Sequence, residues 1–263
     1  MLGIGRLQKR KEQVVDTTGM KETYARDGVL PRVDVFTESE INGFRGQFDE
    51  LEAREGKENC QIGLQARHMD ERFIWELSTD DRVLDVMQAV MGEDVMLLST
   101  HFFCKYPDKD RSKFVAWHQD ITYWGLEPPE AHTAWIAIDD SDVGNGCMRV
   151  ISGSHTEGIA PHAKSETAGN LLSINQEIPD EHIDDSKAID LILDAGQMSV
   201  HDGQLLHASM PNGSDRRRCG LTVRFIPPYV KQAALNSVKA KWFPIVVRGD
   251  DKVRNFEETA APY

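Results

Sequence analysis

The sequence predicts a mainly β fold in which helices near the N-terminus pack outside an all-β core. Helical patterns occur before Gly92, and short strand-like stretches separated by Gly and Pro clusters follow it. The strands do not alternate with helices in the rhythm that indicates a parallel sheet. We find neither an internal repeat nor a linker, so residues 1–263 are expected to form a single domain.

The helical patterns come first along the chain. Residues 1–20 are expected to be a solvated lead-in, and the next ten predict a helix that ends at Gly28 before a first strand. Thr37 is a candidate N-cap, and the apolar residues of 41–51 recur at helical spacing, which predicts an amphipathic helix. A further helix is predicted over about 68–78, and another begins at Thr79 or Asp80 and ends at Gly92.

The second part of the chain predicts six short strands. They cover residues 95–106, 133–138, 148–151, 189–193, 198–201 and 220–226. Between them, residues 156–188 are polar and have no clear period. A connection of this length inside a compact domain is usually a functional lid or partly disordered, and either is expected here.

Composition excludes some classes of function. The net charge of −13 argues against binding to a nucleic-acid backbone, although a locally basic pocket could still hold an anionic substrate. No apolar run approaches the length of a membrane span, and the basic residues 1–13 lack the apolar core of a secretory signal. The four cysteines show no C-x-x-C spacing, so we expect free thiols in a reducing, cytoplasmic compartment.

The most informative motif is His118-Gln119-Asp120, followed far down the chain by His207. Residues two apart on a β-strand point to the same face, so His118 and Asp120 can bind one metal ion while Gln119 points away. Two histidines and one carboxylate form the facial triad that holds Fe(II) in oxygenases and leaves three coordination positions open. The alternatives to His207 as third ligand are His201, His155, His132 and His162. Of these, His201 is interpreted as shaping the corner before the His207 strand, and His155 as part of a tight turn.

Arg218 follows His207 by eleven residues, after a turn cluster and ahead of an alternating strand. Its guanidinium fork could bind a carboxylate through two hydrogen bonds, whereas Arg216 and Arg217 are interpreted as solvated turn residues. Iron beside a carboxylate-binding arginine is what a 2-oxoglutarate cosubstrate requires, because its keto-acid end chelates the metal and its distal carboxylate needs a cation.

At these residues the sequence resembles the phytanoyl-CoA dioxygenase family of Fe(II)/2-oxoglutarate oxygenases. The matching pieces keep the family's order over roughly residues 20–228. They are Lys105-Tyr106-Pro107-Asp108, Trp117-His118-Gln119-Asp120, residues 133–138, residues 146–155, and Ala195-Gly196 through His207 to Arg218.

The resemblance implies a fold and a set of roles. The fold is expected to be a double-stranded β-helix, the cupin-type jelly roll, with the helices outside. His118, Asp120 and His207 would bind iron, and Arg218, helped by Ser209, would hold the distal carboxylate of 2-oxoglutarate. Trp135 and His101 fall where relatives place further cosubstrate contacts.

Three residues are candidate substrate contacts. Tyr123 and Trp124 come just after the iron pair and could stack on a substrate or surround a cation, or could simply close the mouth of the barrel. Arg224 lies on the same strand face as Arg218, where it could line the pocket or pair with an acid.

The sequence therefore predicts an Fe(II)- and 2-oxoglutarate-dependent dioxygenase that uses O₂ to hydroxylate or desaturate an unactivated C–H bond of a small-molecule metabolite, releasing succinate and CO₂. Asp120 favours this over halogenation, because halogenases of the superfamily lack the carboxylate ligand. We expect a small polar or natural-product-like substrate rather than a fatty acyl-CoA, with neither nucleic acid nor a membrane as partner. The alternative is a non-catalytic metal-binding cupin with a sensor or structural role, and Arg218 argues against it. The oligomeric state is not predicted.

Overall fold

The computed structural model describes residues 14–165, 167–172, 175–233 and 241–263. The helices of this part of the chain are α1 (Met20–Asp27), α2 (Glu38–Glu55), α3 (Lys57–Ile62), α4 (Arg72–Ser78) and α5 (Asp81–Met91). The strands are β1 (Val29–Asp34), β2 (Val95–Lys105), β3 (Val115–His118), β4 (Leu126–Glu127), β5 (His132–Ala137), β6 (Met148–Ile151), β7 (Ala163–Lys164), β8 (Gln176–Glu177), β9 (Ala188–Leu191), β10 (Gln197–Asp202), β11 (His207–Ser209), β12 (Arg218–Ile226), β13 (Lys231–Gln232) and β14 (Ile245–Arg248).

Two antiparallel sheets form the core. The larger has the order β1-β10-β5-β12-β2-β14, and the smaller has the order β3-β11-β6-β9. Side chains of both sheets meet in one apolar cluster, in which Trp135 and Ala137 of the larger sheet join Met148, Val150 and Leu191 of the smaller one. The sheets therefore face each other, and the predicted double-stranded β-helix with a jelly-roll architecture is confirmed.

The larger sheet separates apolar from polar side chains by strand alternation. On its outer face, Met198, Ile136 and Leu221 are neighbours on β10, β5 and β12, and they belong to the same cluster as the helices. On its inner face, the sheet carries polar and charged side chains, among them Arg218 and Arg224, next to apolar ones such as Trp135. The alternation thus places the helices on one side of the sheet and the polar cavity on the other.

Local signals explain where the helices begin and end. Thr37 caps α2 by accepting a hydrogen bond from the Glu40 amide, and the Glu40 side chain bonds back to the Thr37 amide, which is the predicted capping arrangement. Asp80 caps α5. Gly28 ends α1 with φ of 70°, a left-handed conformation that favours glycine.

Most of the predicted elements are present, with boundaries shifted by a few residues. The short helix α3 was not predicted, because its sequence KENCQI has no apolar stripe and begins directly after Gly56. Residues 1–13 lie outside the described part of the chain. Within 156–188, the described residues include the β7–β8 pair and two turns of 3-10 helix, and whether the segment acts as a lid stays a prediction. No helix in the described ranges combines the length and the apolar character needed to cross a bilayer.

Candidate active site

A cavity of about 50 Å³ lies between the two sheets. Both sheets contribute polar and apolar side chains to its walls, and the two arginines come from the larger sheet. The lining residues are Phe103, Val115, His118, Asp120, Trp135, Met148, His201, His207, Ala208, Ser209, Arg218, Thr222 and Arg224.

The predicted metal ligands come together at this cavity. His207 on β11 is the direct cross-strand partner of His118 on β3, and their ring centroids are 4.0 Å apart. Asp120 Oδ1 lies 3.5 Å from Nε2 of His118 and 3.9 Å from Nε2 of His207. One candidate ligand atom from each of these buried residues lies within 4.8 Å of the others, which suits a single ion.

The two histidines are oriented by backbone carbonyls. The Nδ1 atom of His118 is 2.9 Å from the carbonyl of Ala116, and that of His207 is 2.9 Å from the carbonyl of Leu205. Nδ1 must carry the proton to donate these bonds, so the Nε2 atom of each ring presents a lone pair that can bind a metal. Burial, together with the neighbouring His118 and His201 rings, lowers the pKa of His207 well below its usual range, which keeps this imidazole neutral.

Asp120 differs from the prediction in one respect. Strand β3 ends at His118, and Asp120 begins a short 3-10 helix, Asp120–Tyr123. Gln119 nevertheless keeps extended dihedrals (φ −123°, ψ 125°), so the expected alternation of side chains holds. Burial acts to raise the pKa of Asp120, but the Arg224 charge, with the nearby His118 and His201 rings, holds it well below its usual range. The carboxylate is therefore charged and ready to bind a cation.

Gln119 points away from the ligands, as predicted, and has a structural function that the sequence analysis missed. Its Nε2 donates to the carbonyls of Gly158 and Gln204, and its Oε1 accepts from the amide of Ala160. Its backbone amide also donates to Nε2 of His162. Gln119 thus ties the metal-binding turn to the segment that follows β6 and to the loop before His207.

Arg218 lies buried at the far end of the same wall. Among the described residues, no hydrogen bond or ion pair satisfies its Nε, and the guanidinium carbon stands 4.9 Å from the Trp135 ring centroid. Burial lowers the pKa of Arg218, yet a guanidinium remains protonated at neutral pH. A buried cation that no described carboxylate pairs with is a candidate anion-binding site.

Three neighbours complete the surroundings of Arg218. Ser209 lines the cavity and accepts a hydrogen bond from Lys105 Nζ at 2.6 Å. Lys105, the cross-strand partner of Arg218, was not predicted as a site residue, and burial and the Arg218 charge lower its pKa well below its usual range. A Cβ added at Gly220 would lie 2.0 Å from a Trp135 ring atom, so the indole covers the bare backbone of this glycine.

The Gly220→Ala substitution is therefore expected to displace the Trp135 indole and to weaken 2-oxoglutarate binding while metal affinity is kept. The added methyl group cannot fit under the rigid ring, which must move away from Arg218. Titration of the metal-loaded protein with 2-oxoglutarate, and Co(II) titration as the control, measure the two affinities. Unchanged 2-oxoglutarate affinity in a folded variant would contradict a role for Trp135 in the cosubstrate site.

The remaining candidates are not all at the cavity. His101 does not line it: the ring packs against Phe103, and its Nε2 lies 2.7 Å from the Ile62 carbonyl. Phe103, two residues along the same strand face, lines the cavity instead. Burial and the Arg224 charge lower the pKa of His101 to about 3, so the ring is neutral.

The candidate substrate residues also differ in whether they line the cavity. Trp124 is buried in an apolar cluster beside the cavity and lies under the Arg224 guanidinium, 5.1 Å from ring centroid to carbon. Arg224 itself lines the cavity and approaches Asp120 Oδ2 to 3.8 Å, so both interpretations of this residue hold. The side chain of Tyr123 lies outside the described part of the structure.

The structure corrects the interpretation of two other residues, Arg217 and His201. Arg217 is not a solvated turn residue: it bonds to Asp139, Asp49 and Glu52 and so links α2 to the start of β12. His201 lines the cavity near Asp120, whereas it was expected to shape the following corner. By contrast, Gly153-Ser154-His155 forms the expected turn, in which Ser154 bonds to the Ile151 carbonyl.

The donor set fits an iron ion. Two imidazole nitrogens and one carboxylate oxygen lie within 4.8 Å of one another, and this composition matches the Fe(II) facial triad rather than a closed tetrahedral zinc site. Arg218, whose Nε has no partner among the described residues, fits the distal carboxylate of a bound dianion.

Comparison with known families decides the classification. The family model described as phytanoyl-CoA dioxygenase (PhyH) matches residues 24–220, which is most of the chain. The chain belongs to this family. The matched region of this PhyH protein includes the candidate metal ligands His118, Asp120 and His207 and the candidate anion-binding residue Arg218.

Individual relatives are more distant. The PhyH protein is 34% identical over 113 residues to a phytanoyl-CoA dioxygenase domain-containing protein 1 homolog of Dictyostelium discoideum, covering 41% of this chain and 39% of the relative. It is 27% identical over 149 residues to a probable alpha-ketoglutarate-dependent hypophosphite dioxygenase of Stutzerimonas stutzeri, covering 57% of this chain and 51% of the relative. These two matches therefore span about half or less of the relatives' lengths.

Solved structures agree on the fold. A non-heme monooxygenase, ThoJ, in its apo form superposes with a TM-score of 0.74 at 27% identity, covering 92% of this chain and 88% of the other. CytC3 with Fe(II) and alpha-ketoglutarate superposes with a TM-score of 0.63 at 18% identity, covering 89% of both chains. The second likeness supports the jelly-roll fold alone.

Proposed function

We propose that this PhyH protein is an Fe(II)- and 2-oxoglutarate-dependent dioxygenase that hydroxylates or desaturates a C–H bond of a small-molecule metabolite. One observation carries the proposal: three candidate metal ligands line the same cavity as a buried guanidinium, whose Nε has no partner among the described residues. A bound Fe(II) ion would supply activation of O₂ coupled to oxidative decarboxylation of 2-oxoglutarate to succinate.

The residues of the chain would each perform a defined task. His118, Asp120 and His207 hold the metal, and the carbonyls of Ala116 and Leu205 keep the two imidazoles in the correct tautomer. Arg218 holds the distal carboxylate of 2-oxoglutarate.

Two further groups would complete the cosubstrate site. Ser209 helps Arg218 through a hydroxyl that lines the cavity, and the Trp135 face limits how far the guanidinium can move. Arg218, Ser209 and Trp135 are buried, and low-dielectric surroundings strengthen these electrostatic contacts.

The size of the cavity favours a small substrate. A volume of about 50 Å³ is well below that of drug-sized ligand pockets, and a bound cosubstrate would take up part of it. Arg224 is the best candidate substrate contact because it lines the cavity, whereas Trp124 would act indirectly by supporting Arg224. We therefore favour a small polar metabolite over a long acyl chain.

A metal-binding cupin without catalytic activity is the alternative. The three ligands alone would serve either function. Such a protein has no need for an unpaired buried arginine, and an unsatisfied buried cation costs folding free energy. Arg218 is therefore the residue that favours the enzyme.

Anaerobic addition of Fe(II) and then 2-oxoglutarate tests the proposal. We expect a weak visible charge-transfer band that requires both additions, followed by succinate release when O₂ and a substrate from a metabolite library are supplied. His118→Ala should give no band. If the wild-type protein binds Fe(II) but gains no affinity for 2-oxoglutarate, the oxygenase proposal fails and the non-catalytic alternative stands.

A further inference from the structure

The two carboxylate oxygens of Asp120 have different surroundings. Oδ1 faces Nε2 of His118 and of His207. Oδ2 faces the opposite wall of the cavity, where Thr133 Oγ1 lies at 3.5 Å. His201 Nε2 and Arg224 Nε each lie 3.8 Å from the same oxygen. One oxygen therefore points to the metal position, and the other points to three potential hydrogen-bond donors.

The three donors form a single row across the larger sheet. His201 on β10 pairs in register with Thr133 on β5, and Thr133 pairs with Arg224 on β12. All three side chains lie on the inner face of the larger sheet. They face the smaller sheet, in which His118 ends β3, Asp120 follows it, and His207 begins β11. We call His201, Thr133 and Arg224 the anchor row. The smaller sheet thus presents the metal site, and the larger sheet presents donors to one of its ligands.

The anchor row is buried and largely unsatisfied. Within the described residues, neither ring nitrogen of His201 has a hydrogen-bond partner, and the same holds for Nε of Arg224. The relative exposures of His201, Thr133 and Arg224 are 1%, 0% and 8%. Buried polar atoms are rarely left without partners, and Asp120 Oδ2 is the anionic acceptor common to all three. The distances from Oδ2 to His201 and Arg224 are longer than hydrogen bonds, and Thr133 lies at the limit of hydrogen-bonding distance.

We propose that the anchor row makes Asp120 a one-oxygen ligand by holding Oδ2 away from the metal. This inference rests on the proposed function, because it concerns the same metal site. A carboxylate that bound through both oxygens would take a coordination position that 2-oxoglutarate or O₂ requires. His201, Thr133 and Arg224 are positioning residues in this arrangement: they act through Asp120 and need not touch the metal.

Thr133→Val and His201→Phe test the proposal in the full-length protein. Each keeps the approximate shape of the side chain and removes the donor that faces Oδ2. Co(II) is the probe, because it does not turn over with O₂ in the assay and binds such sites more tightly than Fe(II). We expect each variant to bind Co(II) roughly tenfold more weakly, the lower end of the effect of outer-shell substitutions.

A matched control is available on the same strand as His201. Ser199 lies two residues away on the same face of β10, is fully buried, and has a hydroxyl without a hydrogen-bond partner in the described structure. Ser199→Ala therefore removes a buried hydroxyl without removing a donor to Asp120, and Co(II) affinity should not change.

A double-mutant cycle separates positioning from a general structural effect. If Thr133 acts through Asp120, Thr133→Val should not weaken Co(II) binding further when Asp120 is already alanine. An equal loss in both backgrounds, or wild-type affinity in both anchor-row variants, overturns the inference. His118→Ala distinguishes this from failure of the proposed function: if that variant also binds Co(II) normally, the metal site itself is wrongly assigned.

Discussion

The His207→Ala substitution is expected to abolish turnover and to weaken metal binding by more than the roughly 10–100-fold typical of outer-shell changes. His207 supplies one of three ligands, and its partner across the strand pair, His118, supplies the second. Two remaining ligands cannot define the face that leaves the other coordination positions open. Succinate release measures turnover, and the rise in melting temperature on adding Co(II) measures binding, because a ligand stabilises only the state that binds it.

A buried histidine on the opposite side of the larger sheet provides the control. His68 is as buried as His207 and bonds to Thr100 Oγ1, but it does not line the cavity. His68→Ala should lower the melting temperature of the metal-free protein and still allow Co(II) to raise it. If His207→Ala retained the Co(II)-dependent rise, another residue would have to be the third ligand, and His201 would be the first to consider because it also faces Asp120.

The ligands could be predicted because their pattern is local or chemically restrictive. The spacing of His118 and Asp120 gives one face of an extended segment, and the structure keeps that face even though the strand ends between them. His207 was identified by family resemblance, since the distance to a ligand on another strand is free. The helices α2 and α5 were predictable for a similar reason, because their caps and apolar spacing are contained in a short stretch.

The anchor row could not be predicted, because its members are far apart in the sequence. His201, Thr133 and Arg224 become neighbours only through the registers of β10, β5 and β12. The position of Lys105 beside Arg218 could not be predicted for the same reason, because it follows from the pairing of β2 with β12. Strand register between distant segments is set by tertiary packing, which a single sequence does not display.

The three consecutive arginines of residues 216–218 also show that sequence alone does not reveal the environment of a side chain. Arg216, Arg217 and Arg218 are consecutive, and only their environments separate them. Arg216 bonds to Asp142 at the surface, Arg217 joins a partly buried network, and Arg218 alone faces the cavity. Side chains alternate between the two faces of β12, so Arg218 lies on the inner face together with Gly220 and Thr222. This alternation separates Arg218 from its neighbour Arg217.

The Arg218→Ala substitution is expected to leave metal binding intact and to weaken 2-oxoglutarate binding by roughly tenfold to hundredfold or more. Charge-assisted hydrogen bonds contribute about 1.5–3 kcal/mol each, and about 1.4 kcal/mol corresponds to tenfold in affinity. The loss should lie toward the upper end, because the distal carboxylate would then be buried without its cation. Anaerobic titration of the charge-transfer band with 2-oxoglutarate gives the affinity, and Co(II) titration checks the metal site.

The matched controls are Arg216→Ala and Arg217→Ala, because each substitution removes one positive charge within two residues of Arg218. Arg216→Ala should change neither affinity, because its side chain is exposed and pairs with Asp142. Arg217→Ala should lower the melting temperature through lost contacts with Asp139, Asp49 and Glu52, yet the folded protein should bind 2-oxoglutarate normally. A larger loss of 2-oxoglutarate affinity in either control than in Arg218→Ala would place the anion site on another residue of the cluster. Arg218→Lys should restore only part of the affinity, because an ammonium group cannot form the paired hydrogen bonds of a guanidinium fork.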